Sequence, residues 1–456
     1  MAGNVRCDMR AAAHLPVDSH AEFHDWLADN WWTVLVVGAV AVVGLATLVK
    51  FALSPFYVNK DSALFQHGGW YIGQGASLYV DIWDLKPPLI FWLSAVLAVF
   101  SFGNMALLHV YGVAAAVAAV VGGLIFVGLT AYHITEDGFA SVVAAGSMLL
   151  LTSVYTFPYA GIRPKYFAFL CGAGALYFAV RDRHLASGIA AALAAGFWQL
   201  GGILAFLVVG MALQRGGVRG AGRTIAGGLA VATLTVLPFV LSGRTVPLLA
   251  EVVLAPIYGV ERYTIPSRLL TFLIELGPGI VAVPVAAYGW YRALREDYRE
   301  YWWLGAGGSA YLLQVFLEFQ GAIELVLVFV FVALGLAVVA ARLPRPSRRT
   351  TLAVCLTVLV LGNLYWSESP VTPVKDEAQD LKAQYNVPNY EALPPDPPAS
   401  PSMQTIYWEQ LKPELCHYRL GHKQKYFEFA TGGTLYKSEC GQWPYEGEPP
   451  AWLPGA

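Results

Sequence analysis

Charge is scarce in this sequence. Of 456 residues, 13% are Asp, Glu, Lys or Arg and 57% are hydrophobic, whereas soluble domains carry roughly 25% charged residues. That shortage excludes a water-covered surface over most of the chain. The net charge of −2 removes the electrostatic case for nucleic-acid binding. The nine histidines form no cluster at ligand spacing, so no metal site is expected from them. The polar/apolar alternation of a membrane barrel is absent, as is a Gly-rich phosphate loop. About 30 mixed residues precede the first apolar run, and that run is too long for a signal h-region, so a cleavable signal peptide is not expected. Cysteine is sparse, at five residues. Cys171 and Cys355 lie in apolar segments and are expected to be inert packing residues.

What is abundant is long uncharged sequence. Residues 31–49 and 87–132 contain no charged side chain. A run of ~18 or more apolar residues can cross the hydrocarbon core, and in lipid it must do so as a helix. Apolar segments fall at 32–54, 89–102, 105–132, 138–157, 166–180, 225–241, 269–291, 302–316, 323–341 and 351–366. The run 185–213 reads as two short helices meeting near Gly201 and Gly202. The expected fold class is an all-α polytopic membrane protein with about eleven to thirteen transmembrane helices.

Basic residues prefer the cytoplasmic side. Two clusters are clear: Arg215, Arg219 and Arg223, and Arg342, Arg345, Arg348 and Arg349. With these inside, the loops 55–88 and 242–268 and the tail fall outside, and the arm 1–31, with Arg6 and Arg10, falls inside. Three parts result: a cytoplasmic arm at 1–31, a membrane domain at 32–366 and an external part at 367–456. The middle admits two countings. If 89–132 crosses once, Arg163 and Lys165 are outside and Arg181 and Arg183 inside; if it crosses twice, Arg163 falls inside. The external part opens with a charged, Pro-rich linker, whose Pro-rich stretch is 388–401. An aromatic, polar stretch at 405–443 follows and could fold as a small unit. There Cys416 and Cys440 either stay free or close a disulfide, which an external location permits.

The informative segment is 59–88, NKDSALFQHGGWYIGQGASLYVDIWDLKPP. Asp61 follows the first span by a few residues. An ionisable group near membrane depth is a candidate functional residue by default, although it can also merely anchor a helix end. Residues 62–72 read as a short amphipathic helix suited to the interface, broken by Gly73 and Gly75. Tyr79, Asp81, Asp84 and Lys86 follow, and Pro87-Pro88 opens the next helix, where a missing N–H is harmless. The loop thus returns two carboxylates and a lysine to the surface that holds Asp61.

A carboxylate just after the first span, then Gly75, Leu78, Tyr79, Asp81, Asp84, Lys86, Pro87, Pro88 and Leu89 in G-x-x-L-Y-x-D-x-x-D-x-K-P-P-L, resembles the GT-C superfamily of membrane glycosyltransferases. The pattern is most similar to its protein-mannosyltransferase and aminoarabinose-transferase-like group, which includes archaeal dolichol-phosphate-mannose mannosyltransferases. The motif spans about thirty residues, and the many-helix plan supports it over most of the chain except the tail. The resemblance implies an inverting transfer of a sugar, mannose first, from a polyprenyl- or dolichyl-phosphate donor. The acceptor would be a glycan on lipid or protein, at the external face of the plasma membrane. Asp61 would be the base for the attacking hydroxyl. Lys86 would hold the departing phosphate, unless it only snorkels to lipid headgroups. Tyr79, Asp81, Asp84, Arg262 and Tyr263 are candidates for substrate contact. Glu251, Glu261 and Arg268 stand in the same outer loop, which solvation alone would explain equally well. Glu318 and Gln320 lie in a short turn that would face the same cavity.

The group often carries a second acid at the start of a helix after the fourth or fifth span. The matching stretch, 159–166, has none. Arg163 and Lys165 stand there instead. They suit a phosphate at a helix entrance, or else anchor the helix from inside. The phosphate reading is the reason to prefer a single crossing by 89–132. No cofactor is called for, and a bridging divalent metal is left open. A multi-pass transporter or lipid flippase is the alternative class, though no inverted halves with paired broken helices are evident. Gln199 is expected to make a helix–helix hydrogen bond.

Overall fold

The computed structural model describes residues 20–79, 82, 84–254, 256, 264–317, 321–344 and 346–368. The expected arm 1–31 is described only from residue 20, and the tail only to residue 368, so Cys416 and Cys440 lie outside the described residues. Among these residues the chain is built of helices, with a single isolated bridge between Leu78 and Ile82. Six helical stretches are long and apolar enough to cross a membrane, and four shorter apolar helices accompany them.

In chain order the main helices begin with α1 His20–Leu53, α2 Lys60–Gly73, α3 Leu89–Phe100, α4 Met105–Thr135 and α5 Gly138–Ser147. They continue with α6 Pro164–Val180, α7 His184–Phe197, α8 Gly202–Leu241 and α9 Ile265–Leu276. The last are α10 Ala282–Glu296, α11 Tyr298–Leu317, α12 Val326–Ala341 and α13 Pro346–Glu368. Helix α12 is the central pillar: Val326 to Val338 is buried along its whole length. Helices α1, α8 and α13 turn rows of Val and Leu outward instead. Apolar side chains facing outward on long helices are what a lipid-covered rim requires. Cys171 is half-buried on α6, whereas Cys355 stands exposed on α13.

The break expected near Gly201 is present. Helix α7 stops at Phe197, a 3₁₀ turn covers Gln199–Gly201, and α8 begins at Gly202. A Cβ on Gly201 would meet the Ala194 backbone at 2.4 Å, so only glycine fits there. Helix α8 is itself two arms. Gly217 has φ 58° and ψ −158°, and a Cβ on Gly220 would lie 2.6 Å from the Ala212 carbonyl. The chain therefore folds back on itself at Gly217. The returning arm closes on α7 where a Cβ on Gly188 would sit 1.9 Å from the Thr224 carbonyl oxygen.

Segment 89–102 is too short a helix to be a span of its own, which fits the preferred single crossing by 89–132. Helix α3 has 12 residues, about 18 Å at 1.5 Å per residue, against a hydrocarbon core of about 30 Å. It pairs instead with α2, so closely that a Cβ on Gly69 would meet Ser94 and the Ala95 backbone. Helix α4, with 31 residues, carries the crossing. Helix α2 forms over the expected stretch. Residues 62–69 are buried against α3, α4 and the turn at Pro158–Ala160. At its start Asp61 faces outward, and one turn on Phe65 packs edge-on to Phe91 at 5.6 Å.

Ion pairs sort the chain into two ends. At one end Arg215 reaches Glu300, Asp182 (3.7 Å) and the Val180 carbonyl (2.7 Å). At the same end Arg342 pairs with Glu296, and Arg349 with Asp137 at 2.6 Å. At the other end Lys50 meets Glu368 at 2.5 Å, and Lys165 meets Glu324 at 2.8 Å. Arg163 and Lys165 thus stand opposite the Arg215 and Arg342 clusters.

Polar contacts join apolar ones, such as Leu356 and Leu359, in fixing α13. The Asn363 amide donates to the Leu150 carbonyl (2.8 Å) and accepts from the Gly279 N–H (2.7 Å). The Trp366 indole donates to the Ile274 carbonyl at 2.8 Å. Asn363→Leu leaves two backbone groups unpaired in an apolar setting, at about 1–3 kcal/mol each. The expected outcome is a clear drop in the thermal midpoint of the detergent-solubilised protein. An unchanged midpoint would show that α13 is held by apolar packing alone.

Candidate active site

The site begins with the start of α2. Asn59 is its N-cap, and its side chain accepts the Asp61 N–H at 3.0 Å. The Asn59 N–H donates to the Ala160 carbonyl at 3.3 Å, and Tyr57 stacks on Tyr159 at 5.6 Å. These contacts lay the start of α2 beside the turn that enters α6. At that turn Gly161 adopts φ 105°, a left-handed conformation that side chains disfavour, and it sits on Ser62 and Gln66 of α2. Gln66 in turn approaches the His109 ring at 3.4 Å, tying α2 to α4. Pro164 occupies the first helical position of α6 and Arg163 the cap. The result is that Arg163 Nη2 lies 3.9 Å from Asp61 Oδ2. The Asp61 side chain is 59% exposed and that of Arg163 is 14% exposed. The guanidinium also lies 5.4 Å over the Phe157 ring, which fixes it in place.

The loop carrying Lys86 is pinned through its backbone. Asp84 Oδ1 accepts the Lys86 N–H at 2.8 Å, the Tyr79 hydroxyl donates to the Lys86 carbonyl at 2.7 Å, and the Gln199 amide donates to the Leu85 carbonyl. Tyr79 is fully buried and left-handed, with φ 66°, a conformation that costs about 1–3 kcal/mol and persists only where the surroundings impose it. Burial, then the nearby charges of Asp84 and Glu251, push its phenol well above the usual range, so it remains a donor. Tyr79 and Asp84 thus stand behind the loop and set the position of Lys86. In place of the expected helix–helix hydrogen bond, Gln199 binds this loop, with the Val252 carbonyl a second acceptor at 3.4 Å.

Lys165 follows Arg163 by two residues, in the first turn of α6. Its ammonium meets Glu324 at 2.8 Å and lies 5.6 Å over the Trp198 ring. Lys86 and Asp61 are both within electrostatic reach of that ammonium. Four expected site residues, Asp61, Lys86, Arg163 and Lys165, are therefore brought to one place. Asp81, Glu261, Arg262, Tyr263, Glu318 and Gln320 lie outside the described residues. Glu251 is fully buried in a wide π-type turn at Ala250–Leu254, so a solvated loop does not account for it. Among the described residues no three His, Cys, Asp or Glu side chains gather as a metal-binding group.

Glu324 was not foreseen from the sequence. It stands one residue inside an apolar run and reads there as the edge of a span. A signal does exist: an acid in the turn that leads into the most apolar helix.

Beside the loop opens a cavity of about 770 Å³. Pro87 and Pro88 stand at one side of it, Ala191 and Ala195 of α7 at another, and Leu229 and Ala232 of α8 at a third. Its walls are almost entirely apolar, and Lys86 immediately precedes the two prolines.

Residues 75–237 match the family described as DolP-mannose mannosyltransferase. The chain is 27% identical over 438 residues to the dolichol phosphate-mannose mannosyltransferase of Haloferax volcanii, which covers 88% of this chain and 94% of that protein. In fold it is similar to ArnT from Cupriavidus metallidurans, solved bound to undecaprenyl phosphate, with a TM-score of 0.53, 15% identity, and coverage of 78% of this chain and 76% of that one. The oligosaccharyltransferase AglB from Archaeoglobus fulgidus, solved with an inhibitory peptide and a dolichol-phosphate, gives a TM-score of 0.47 at 14% identity over 82% of this chain and 62% of that one. On sequence the chain is similar to the dolichol-phosphate-mannose mannosyltransferases, and in fold it is similar to the membrane enzyme ArnT.

Proposed function

We propose that this protein moves a sugar, mannose in the first instance, from a dolichyl- or polyprenyl-phosphate donor to a hydroxyl of a glycan carried on lipid or protein. The observation that carries the reading is the exposed Asp61 carboxylate 3.9 Å from Arg163, with Lys86 and Lys165 close by and an apolar cavity alongside. A lipid-phosphate sugar needs three things of a site: a greasy channel for the chain, cations for the phosphate and a base for the acceptor. All three meet here. Asp61 takes the proton of the attacking hydroxyl. The oxygen attacks the anomeric carbon from the face opposite the phosphate, which leaves with the bonding pair and inverts that centre. Lys86, Arg163 and Lys165 take up the charge that develops on the leaving phosphate. Similarity to the dolichol phosphate-mannose mannosyltransferase of Haloferax volcanii supports a dolichyl-phosphate mannose donor. The concentration of arginine at the opposite end supports an external site, because basic residues favour the cytoplasm.

The test is the glycan and lipid profile of cells lacking the gene. The expected result is a glycan shortened by one sugar, with the charged lipid donor accumulating. Unchanged glycans and an unchanged donor pool, with altered solute uptake in vesicles, would replace the enzyme with a transporter.

A further inference from the structure

Lys165 and Glu324 form a closed ion pair inside a site that has to hold and then release a phosphate. Their separation is 2.8 Å, and their side chains are only 15% and 13% exposed. Neither is a loose surface group. The Lys165 ammonium is backed by the Trp198 ring at 5.6 Å. Glu324 sits on a 3₁₀ turn at Ala322–Leu325, with its N–H on the Gly321 carbonyl at 3.0 Å. That turn leads directly into α12, the most buried helix. The carboxylate is therefore mounted at the foot of that buried helix.

We propose that Glu324 is a release residue: the anion that occupies Lys165 when no phosphate does, and that reclaims it as the lipid phosphate departs. The inference rests on the donor assignment made above. Its logic is one of charge. A sugar phosphodiester carries one negative charge. Once the sugar has left, the remaining phosphate monoester carries about −1.5 to −2 at neutral pH. Lys86, Arg163 and Lys165 together therefore hold the product more tightly than the donor, and a site made of cations alone retains its product. A fixed carboxylate on Lys165 repels the bound phosphate in proportion to its charge, so it weakens the product nearly twice as much as the donor. Glu324 acts through Lys165 and on the phosphate, not on the sugar or its acceptor.

The experiment uses the full chain reconstituted in liposomes, with lipid-phosphate mannose as donor and polyprenyl phosphate as inhibitor. In Glu324→Gln the inhibition constant for polyprenyl phosphate should fall by about 10-fold, while the donor KM falls by less. The first turnover should be retained and steady-state turnover slowed, giving a burst. Glu324→Asp keeps the charge with a shorter reach and should restore most of the original ratio of product inhibition to donor KM. If the Gln variant does not hold its fold in a thermal melt, the Asp variant alone decides, since a smaller shift of that ratio in the same direction is still required. A ratio that does not move in an active Gln variant, or product binding that weakens in it, overturns the inference and leaves the glycosyl transfer intact. An unsubstituted chain that transfers no sugar from this donor instead overturns the function proposed above.

Discussion

Asp61→Asn lowers sugar transfer by about 10²- to 10⁴-fold at saturating donor and acceptor, the usual contribution of a positioned general base. Three features make this variant a clean one. The cap of α2 uses the backbone N–H of residue 61, accepted by the Asn59 side chain, so the substitution leaves it in place. The side chain is 59% exposed, so no cavity opens. Asparagine has the shape of aspartate and cannot take up a proton. Membrane abundance and thermal midpoint should match the parent. Donor affinity should hold or rise, because a negative charge has been removed beside Arg163. A variant that transfers sugar at the parental rate would remove Asp61 from the mechanism.

Lys165→Ala carries the second large effect, and here stability and activity fall together. The substitution deprives Glu324, 13% exposed, of its ammonium partner. Removing one member of a mostly buried pair costs about 3–5 kcal/mol, far more than the pair is worth as a unit. Lys165→Ala/Glu324→Ala should therefore recover part of the lost thermal midpoint while remaining impaired in donor use. That split separates the structural and phosphate-binding roles of one lysine. The measurement is a double-mutant cycle read by thermal unfolding in detergent alongside donor KM. A single-variant cost under about 1 kcal/mol would mark the pair as one screened by water.

Much of the architecture was legible because lipid imposes simple rules. Uncharged runs gave most of the long helices, and Gly201-Gly202 gave the break between α7 and α8. The placement of Asp61 at the start of α2, and of Lys86 before Pro87-Pro88, could be read along the chain because both depend on local capping and turn chemistry. Apolarity alone left one crossing or two open at 89–132, since a helix buried against protein and one crossing lipid have similar composition. Length was the discriminating quantity, and α3 is too short. The burial of α2 was equally hidden, because what covers it comes from α3, α4 and the turn before α6. Glu324 was out of reach for the same reason: its partner Lys165 is 159 positions away. A sequence read locally shows which groups are costly to bury and leaves open which of them meet.

The ion pair of Lys50 with Glu368 joins residues 318 positions apart, and α1 and α13 lie side by side. A chain is made from its N-terminus, and its early segments fold first. Lys50 therefore waits through nearly the whole of synthesis for its carboxylate, and the Leu150 carbonyl waits likewise for Asn363. The rim of the bundle stays open until α13 has been delivered. A ribosome that stalls before residue 363 leaves a protein with its candidate active-site residues made and its wall missing one stave.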